Sequence, residues 1–268
     1  MKVNQSKHYN MPLLMGPLYE QAAPPKFRYS QVEVLAFQYM TDVEALAELL
    51  PRHYRPGKEP LVTVVFSENN GVSFMAGGGF RTATFMVEAS FDGERDHVTG
   101  DYVLVMFENQ AWPPIIGGRE NVGVPKLFAD ISSIKLLPNG HLRCEASFWG
   151  HMLFGLDVPP LKNQLGVLRA FAARQINARP MLAHKYIPSL EGPPDADYPT
   201  FIKGDASINK LWMGKRASLR FGIARSEDIG YLKILMDALA TLTIIKPVQV
   251  MHYLGSYVDR YDLCRRLR

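Results

Sequence analysis

From position 61 onward, hydrophobic residues fall into short runs separated by polar turn residues. Runs rich in β-branched and aromatic residues, bounded by Gly, Pro, Asn or Asp, are typical of β-strands. The pattern predicts strands at 61–66, 81–91, 102–108, 128–136, 142–148, 217–223 and 241–252. Asn-Gly and Asp-Gly pairs between several of these runs supply turns, because Asn, Asp and Gly tolerate positive φ angles.

Helical signals are few and short. Thr41 and Glu44 form a capping box that begins an amphipathic helix, and Pro51 ends it. A second helix is predicted from Ser226, with its apolar residues on one face, and 161–178 is a candidate for a third. Helices therefore do not alternate with the predicted strands.

This arrangement predicts an α+β fold that is mostly β: an antiparallel sheet closed into a barrel-like body with a few short helices. Residues 1–27 are rich in proline and are interpreted as an arm, and 180–199 as a Pro-rich crossing. Neither a repeat of fixed period nor a shift in composition marks a boundary. We therefore expect a single domain over 1–268.

Composition narrows the class of protein. The 268 residues are 47% hydrophobic and 21% charged, which is ordinary for a globular protein. No apolar run approaches the length of a membrane span, and the N-terminus is too polar for a signal peptide, so a cytoplasmic location is expected. The net charge of +4 comes without a basic stripe, which argues against a nucleic-acid partner. The two cysteines and seven histidines lack metal-ligand spacing, so no metal is expected.

One segment, 117–128, carries candidate chemistry. It reads GGRENVGVPKLF and places Lys126 between apolar residues on both sides. A lysine at the start of a strand is usually a solvated end, so this context alone is weak. Two other runs that contain glycine do not complete a known signature: 71–75 lacks the last glycine of G-x-S-x-G, and 77–82 precedes a strand instead of a helix.

The segment resembles the G-R-E-x4-P-K signature of the acetoacetate decarboxylase family, with Gly118-Arg119-Glu120 followed by Pro125-Lys126. Further matches occur in the same order along 26–255. They are Lys26-Phe27, Thr41-Asp42, Pro60-Leu61-Val62, Gly100-Asp101-Tyr102, Arg179-Pro180, Lys185, Ile187-Pro188 and Gly192. The resemblance implies that Lys126 forms a Schiff base with a carbonyl substrate.

Only a neutral amine attacks a carbonyl, and a free lysine of pKa about 10.4 is neutral in about one molecule in 2,500 at pH 7. Lowering the pKa by three or four units corresponds to roughly 4–5 kcal/mol. Burial or an adjacent cation can supply this, and acetoacetate decarboxylase is the standard example of such activation. In the decarboxylase a second lysine follows the first, whereas Leu127 stands here. Burial must then lower the pKa of Lys126, helped at most by a cationic neighbour such as Arg119.

A second departure concerns the acidic residues that the family carries on the strands before the motif. Acids are absent from the corresponding segments 62–66 and 74–80, and Glu68 and Glu88 are out of register. The family's N-terminal substrate arginine also lacks a clean match, with Arg28 one residue away. This sequence therefore keeps the family's lysine but not the acids and the arginine that accompany it in the decarboxylase.

Four other residues are candidates for the site. Arg119 suits bidentate binding of a substrate carboxylate, and Glu120 suits proton transfer; the alternative is a structural ion pair between the two. Tyr253 and Tyr257, at the last predicted strand, are candidates for contacting the substrate or donating a proton. A tyrosine in the core or at an interface is the commoner alternative.

The sequence thus predicts a Schiff-base-forming lyase that acts on a small or medium oxo-acid, with Lys126 and Glu120 catalytic and Arg119 and Tyr253 binding substrate. The default reaction is decarboxylation of a β-keto acid. The alternatives are an aldolase-dehydratase that uses the same lysine and a non-catalytic barrel that binds a hydrophobic carboxylate. No cofactor is expected, because the iminium itself accepts electrons. The resemblance also implies a homo-oligomer.

Overall fold

The computed structural model describes Asn4, Ser6, Lys7, Gly16 and residues 26–268. The predicted Pro-rich arm, 1–27, therefore lies almost entirely outside the described residues. No helix in the described part of the chain combines the length and the apolar character needed to cross a membrane.

Strands dominate the described chain. They are β1 Phe27–Met40, β2 Tyr54–Pro56, β3 Leu61–Val72, β4 Phe80–Asp92, β5 His97–Glu108, β6 Lys126–Phe128, β7 Asp130–Ile131, β8 Lys135–Leu136, β9 Leu142–Phe148, β10 His151–Val158, β11 Lys162–Asn163, β12 Met181–Ile187, β13 Ala196–Ile202, β14 Gly204–Gly214, β15 Ser218–Phe221, β16 Lys246–Asp259 and β17 Arg265–Arg266. The helices are α1 Val43–Glu48, α2 Ile116–Val122, α3 Gly166–Ala178, α4 Ser226–Ile229 and α5 Leu232–Ala240. Short helical turns occur at Ser73–Met75, Ala111–Ile115 and Tyr261–Leu263.

Two sheets contain these strands. The larger, 12-stranded sheet has the order β11-β14-β16-β1-β3-β4-β5-β12-β13-β17, with β2 beside β4 and β6 beside β5. Its pairings are antiparallel except for β5 with β12 and β5 with β6. The smaller, 5-stranded sheet has the order β15-β10-β9-β7, with β8 beside β9.

The mostly β fold with few helices is confirmed, but the predicted closure into a barrel is not observed in the described chain. A barrel requires a ladder that joins the first and last strands of the sheet. Here the two ends of the strand order, β11 and β17, are two residues each and pair with β14 and β13 alone. Alternating polarity predicts a sheet with one buried face, and it does not distinguish an open sheet from a closed one.

Several element predictions need correction. The longest strand of the N-terminal half, β1, has no counterpart in the predicted elements, and the Pro-rich crossing at 180–199 contains β12 and most of β13. The prolines are compatible with these strands because Pro180 precedes β12, while Pro199 lies on β13, next to the edge of the sheet. The predicted strand at 128–136 is broken into β6, β7 and β8. The predicted helix from Ser226 is split into α4 and α5 at Gly230, whose φ is +58°.

The two sheets pack face to face through an aromatic core. Phe154 of β10 is fully buried, and its ring centroid lies 5.5 Å from that of Phe66, 4.8 Å from that of Phe85 and 5.8 Å from that of Phe107. The opposite face of the large sheet buries a second cluster that includes Phe27, Tyr29, Val34 and Tyr253, and α3 packs on it through Ala172. The small sheet therefore packs on the first face of the large sheet, and the second cluster lies on the other face.

Helix α3 also carries apolar residues on its outer side. Val167 is 84% exposed and Phe171 is 58% exposed. Such residues are compatible with a partner surface. The homo-oligomer implied by the resemblance stays a prediction.

Candidate active site

Lys126 is the first residue of β6, which runs parallel to β5 with Lys126 opposite Met106. Glu108 lies two residues further along β5, so its side chain is on the same face of the sheet as that of Lys126. The two side chains are well removed from solvent, with 13% exposure for Lys126 and 1% for Glu108. The strand pairing therefore brings a lysine and a carboxyl group together in the protein interior.

Two oxygen atoms hold the Lys126 amine. Its Nζ donates to Glu108 Oε1 at 2.8 Å and to the carbonyl oxygen of Pro114 at 3.0 Å. The second carboxylate oxygen of Glu108 is buried and has no hydrogen-bond partner among the described residues. The amine is thus oriented by one strand and by the turn Ala111–Ile115, which precedes α2.

Gly118 makes room for the lysine. A Cβ atom at this position of α2 would lie 2.4 Å from Lys126 Cε and 2.6 Å from Nζ. Helix α2 then ends at Gly123, whose φ of +79° is a left-handed conformation that favours glycine. The chain reaches Lys126 three residues later, so the motif glycine and the motif lysine contact each other across one short loop.

Replacing Gly118 by alanine is expected to slow imine formation about 100-fold, because displacement of a reacting group by roughly 1 Å costs about that much. The folded state should lose little stability, since the clash is with the end of a flexible side chain. The rate of enaminone formation with 2,4-pentanedione measures the effect. Gly166→Ala in α3 is the matched control, because its Cβ would meet only Arg169, at an ordinary 3.5 Å. Equal rates in the two variants would show that the contact of Gly118 with Lys126 does not matter.

A small cavity of about 40 Å³ opens beside Lys126. One wall is aromatic and comes from Phe27, Tyr29, Phe74 and Tyr261. The opposite wall is formed by the turn before α2 and by the helix itself, with Pro113, Pro114, Gly117, Gly118 and Asn121. Asp259 completes the lining, and Lys126 is the one cationic side chain among the lining residues that the structure describes.

Asp259 reaches this cavity from the end of β16. Its Oδ2 accepts a hydrogen bond of 2.5 Å from the hydroxyl of Tyr29 on β1. The register of β1 with β16 shifts between Tyr29 and Val32. Without this bulge the strict alternation along β1 would turn Tyr29 to the face of Leu35 and Phe37, in the core between the sheets. The bulge therefore directs Tyr29 into the site.

The two carboxyl groups near Lys126 both have raised pKa values. Burial raises the pKa of Glu108, and the nearby Asp259 adds to the rise, while the charge and hydrogen bond of Lys126 oppose it. Burial also raises the pKa of Asp259, against the hydrogen bond from Tyr29 and the charge of Lys126. Both groups consequently hold protons more tightly than an exposed carboxyl does.

Arg119 and Glu120 lie on α2, and neither is among the residues that line the cavity. They pair with each other, with 2.8 Å between Arg119 Nε and Glu120 Oε1, which is the alternative considered from the sequence. The Arg119 side chain is 48% exposed. The expected cationic neighbour of Lys126 is therefore replaced by two carboxyl groups, whereas the substrate and catalytic roles of Arg119 and Glu120 stay predictions.

The other candidates also lie apart from the cavity or at its margin. Tyr253 is buried in the cluster behind the cavity wall, where burial raises its pKa to about 12, and it does not line the cavity. Tyr257 faces Tyr29 across the strand pair and lowers the pKa of Asp259. Arg28 is exposed, and Leu127 packs against the core on the side of β6 opposite to Lys126.

Glu68 and Glu88, the acids considered from the sequence, are engaged elsewhere. Glu68 pairs with Arg81 at 3.0 Å, and Glu88 pairs with Arg179 at 3.0 Å. The acids at the lysine come instead from Glu108 and Asp259, which sequence reasoning missed. Glu108 ends a predicted strand 18 residues before the lysine, and a spacing of this kind carries no recognisable signal.

A group of potential metal ligands, His53, His184 and Asp197, lies elsewhere, with one ligand atom of each within 4.8 Å of the others. The two imidazole rings are stacked with centroids 5.4 Å apart and an angle of 11° between their planes. Lone pairs of stacked parallel rings do not converge on one ion. The Arg52 guanidinium also pairs with Asp197 at 3.3 Å. The cluster is therefore arranged as stacked histidines, with His184 hydrogen-bonded to Asp197 and Asp197 paired with Arg52.

The two sheets leave the largely buried Lys126 amine facing a small cavity that has one aromatic wall. A family model described as acetoacetate decarboxylase (ADC) matches residues 10–258, and the chain belongs to this family. It is 26% identical to the acetoacetate decarboxylase of Clostridium botulinum, over 95% of this chain and 99% of that protein.

Solved structures agree on the fold. The acetoacetate decarboxylase of Legionella pneumophila superposes with a TM-score of 0.75 at 19% identity, covering 100% of this chain and 98% of the other. The enduracididine biosynthesis enzyme MppR complexed with pyruvate gives a TM-score of 0.71 at 16% identity, with 97% of each chain covered. At these identities the likeness concerns the fold alone.

Proposed function

We propose that this protein is a Schiff-base-forming lyase that decarboxylates a small β-keto acid, with Lys126 as the nucleophile. The observation that supports this function is the largely buried Lys126 amine, held at the wall of a small cavity by Glu108 and Pro114. An amine in that position meets any carbonyl compound that enters the cavity. The family membership supports the same class of chemistry.

Glu108 makes the amine available. Its carboxylate, 2.8 Å from Nζ, accepts a proton from the Lys126 ammonium and leaves a neutral amine beside a neutral acid. A neutral pair is favoured in a buried site because neither group then needs solvation as an ion. The raised pKa of Glu108 makes it a suitable acceptor. In this scheme a carboxyl group replaces the second lysine of the decarboxylase.

The cavity also favours the loss of CO₂. After the imine forms, the substrate carries a positive iminium and a negative carboxylate. The carboxyl carbon is two bonds away from the iminium carbon. Cleavage of the bond to the carboxyl carbon sends the electron pair into the iminium, which yields a neutral enamine and neutral CO₂. Because the described lining has one aromatic wall and no cation besides Lys126, it stabilises the carboxylate poorly, and the step that removes charge is assisted.

A second candidate is the aldolase-dehydratase. The observation in its favour is the pair of carboxyl groups, Glu108 and Asp259, near the lysine. Either one in its ionised form can remove a proton from the carbon next to the iminium, which gives an enamine that attacks an aldehyde. A substrate for this reaction needs no β-carboxylate.

Reductive trapping tests the proposed function. Incubation with acetoacetate and borohydride, followed by peptide mass spectrometry, is expected to place an adduct on Lys126. Lys185→Met is the matched control, because this other half-buried lysine lies near α2, with its Nζ 3.4 Å from the carbonyl oxygen of Asn121, and its loss should leave the adduct in place. Absence of any adduct on Lys126 would favour the non-catalytic binder.

Product analysis separates the two enzymes. CO₂ released from acetoacetate supports the decarboxylase, whereas enone absorbance from pyruvate and an aldehyde supports the aldolase-dehydratase. Both assays use the same protein preparation, so activity in one assay shows that the protein is intact when the other gives no signal.

A further inference from the structure

We propose that Asp259 is the general acid of the Lys126 site, which protonates the oxygen that departs when the imine forms. The inference rests on the proposed Schiff-base function and adds a catalytic residue to it. The sequence offered no motif at this position, and only the fold brings the C-terminal end of β16 to the lysine.

Position is the first argument. Asp259 and Lys126 line the same small cavity, so a molecule bound to the amine lies between them and the aromatic wall. Glu108 contacts the amine but does not line the cavity, and its side chain is 1% exposed. An oxygen atom on the substrate is therefore accessible to Asp259, while Glu108 is confined to the proton of the amine.

The environment of Asp259 is the second argument. The titratable groups around it are Lys126 from β6, Glu108 from β5, Tyr29 from β1, Tyr257 on its own strand, and Tyr261 and Cys264 further along the chain. Lys126 is the only cation in this set, and its Nζ donates to Glu108 and Pro114. No salt bridge to Asp259 occurs between 26 and 268, so its charge lacks a dedicated partner. Burial accordingly favours the protonated acid.

The proposed step balances as follows. Attack of the neutral Lys126 amine on the carbonyl gives a carbinolamine, in which carbon carries both nitrogen and a hydroxyl group. The carbon–oxygen bond then breaks, the hydroxyl takes the proton of Asp259 and leaves as water, and the nitrogen lone pair forms the iminium. The Asp259 carboxylate produced in this step lies near the new positive charge. The reverse reaction returns the proton when water releases the product.

Tyr29 provides a specific test. Its hydroxyl donates to Asp259 and so lowers the pKa of that carboxyl relative to burial alone. Replacement by phenylalanine removes the hydroxyl and raises the pKa further. An acid that must be protonated loses its function as pH rises through its pKa, so the alkaline limb of the rate profile is expected to move to higher pH in Tyr29→Phe.

The experiment measures the rate of enaminone formation with 2,4-pentanedione as a function of pH in the full-length protein. In Asp259→Asn the rate at the optimum is expected to fall about 100-fold, and the alkaline limb assigned to Asp259 should disappear. Tyr39→Phe is the control, because its buried hydroxyl donates to the carbonyl oxygen of Leu242 at 3.0 Å and lies in the other core cluster. Its pH profile should match that of the wild type.

The outcomes distinguish this inference from the proposed function. A wild-type protein that forms no adduct contradicts the Schiff base itself. An adduct whose rate profile is unmoved in Tyr29→Phe, or moved to lower pH, contradicts the role of Asp259 and leaves Lys126 in place. Since Tyr29→Phe retains the aromatic wall, it keeps the inference testable even if Asp259→Asn does not fold.

Discussion

Replacement of Lys126 by methionine is expected to lower the rate of substrate turnover by on the order of 10⁴–10⁶-fold, the scale of losing a covalent nucleophile. Methionine retains the apolar stem that passes Gly118 and removes the amine, so no imine can form. Turnover of acetoacetate and borohydride trapping measure the two parts of the effect. A variant that still releases CO₂ at a tenth of the wild-type rate would contradict the covalent mechanism.

The same variant has a distinctive dependence of stability on pH. Without the charge and hydrogen bond of Lys126, burial and Asp259 act unopposed and raise the pKa of Glu108 further. A carboxyl whose pKa is higher in the folded than in the unfolded state contributes stability below its unfolded pKa of about 4.3. This contribution is lost as pH rises through the folded pKa. Urea unfolding at acidic and neutral pH should therefore show Lys126→Met weakened mainly at neutral pH, relative to the wild type.

Glu108→Gln is expected to slow imine formation by roughly 10²–10⁴-fold, the range for removal of a general base. Glutamine keeps the size of the side chain and an oxygen acceptor for Nζ, but it cannot take the proton of the ammonium. The lysine must then lose its proton to solvent, so the remaining rate should rise with pH. Stopped-flow measurement of enaminone formation across pH tests both the magnitude and the slope.

Glu120→Gln decides between the two candidate carboxyl groups. Glu120 pairs with Arg119 and lies off the cavity, and the geometry favours Glu108 as the base, so a smaller loss than in Glu108→Gln is expected. A larger loss in Glu120→Gln would instead support Glu120 as the catalytic carboxyl group, as the sequence predicts. The double variant Lys126→Met with Glu108→Leu controls for folding, because an apolar pair commonly replaces a buried lysine–carboxyl pair without loss of stability.

The site shows why a local sequence motif identifies only some of the residues at the cavity. The motif places Gly118 and Lys126 eight positions apart, and the structure shows the contact that joins them, since any side chain at 118 would occupy the space of the amine. The same motif contains Arg119 and Glu120, whose side chains pair on α2 away from the cavity. Membership of a motif therefore does not by itself mean contact with the cavity.

The sequence by itself determined the family and the mostly β character, and it singled out Lys126 as the candidate nucleophile. Each of these follows from local runs of residues or from one contiguous motif. Tertiary structure alone decided which acids face that lysine. Glu108 arrives through a parallel strand pairing, and Asp259 arrives from the far end of the chain. Tyr29 reaches the cavity through a bulge that reverses the alternation of β1. The physical reason is that strand register and bulges set which face a side chain occupies, and pairing between distant segments leaves no trace in either segment's own pattern.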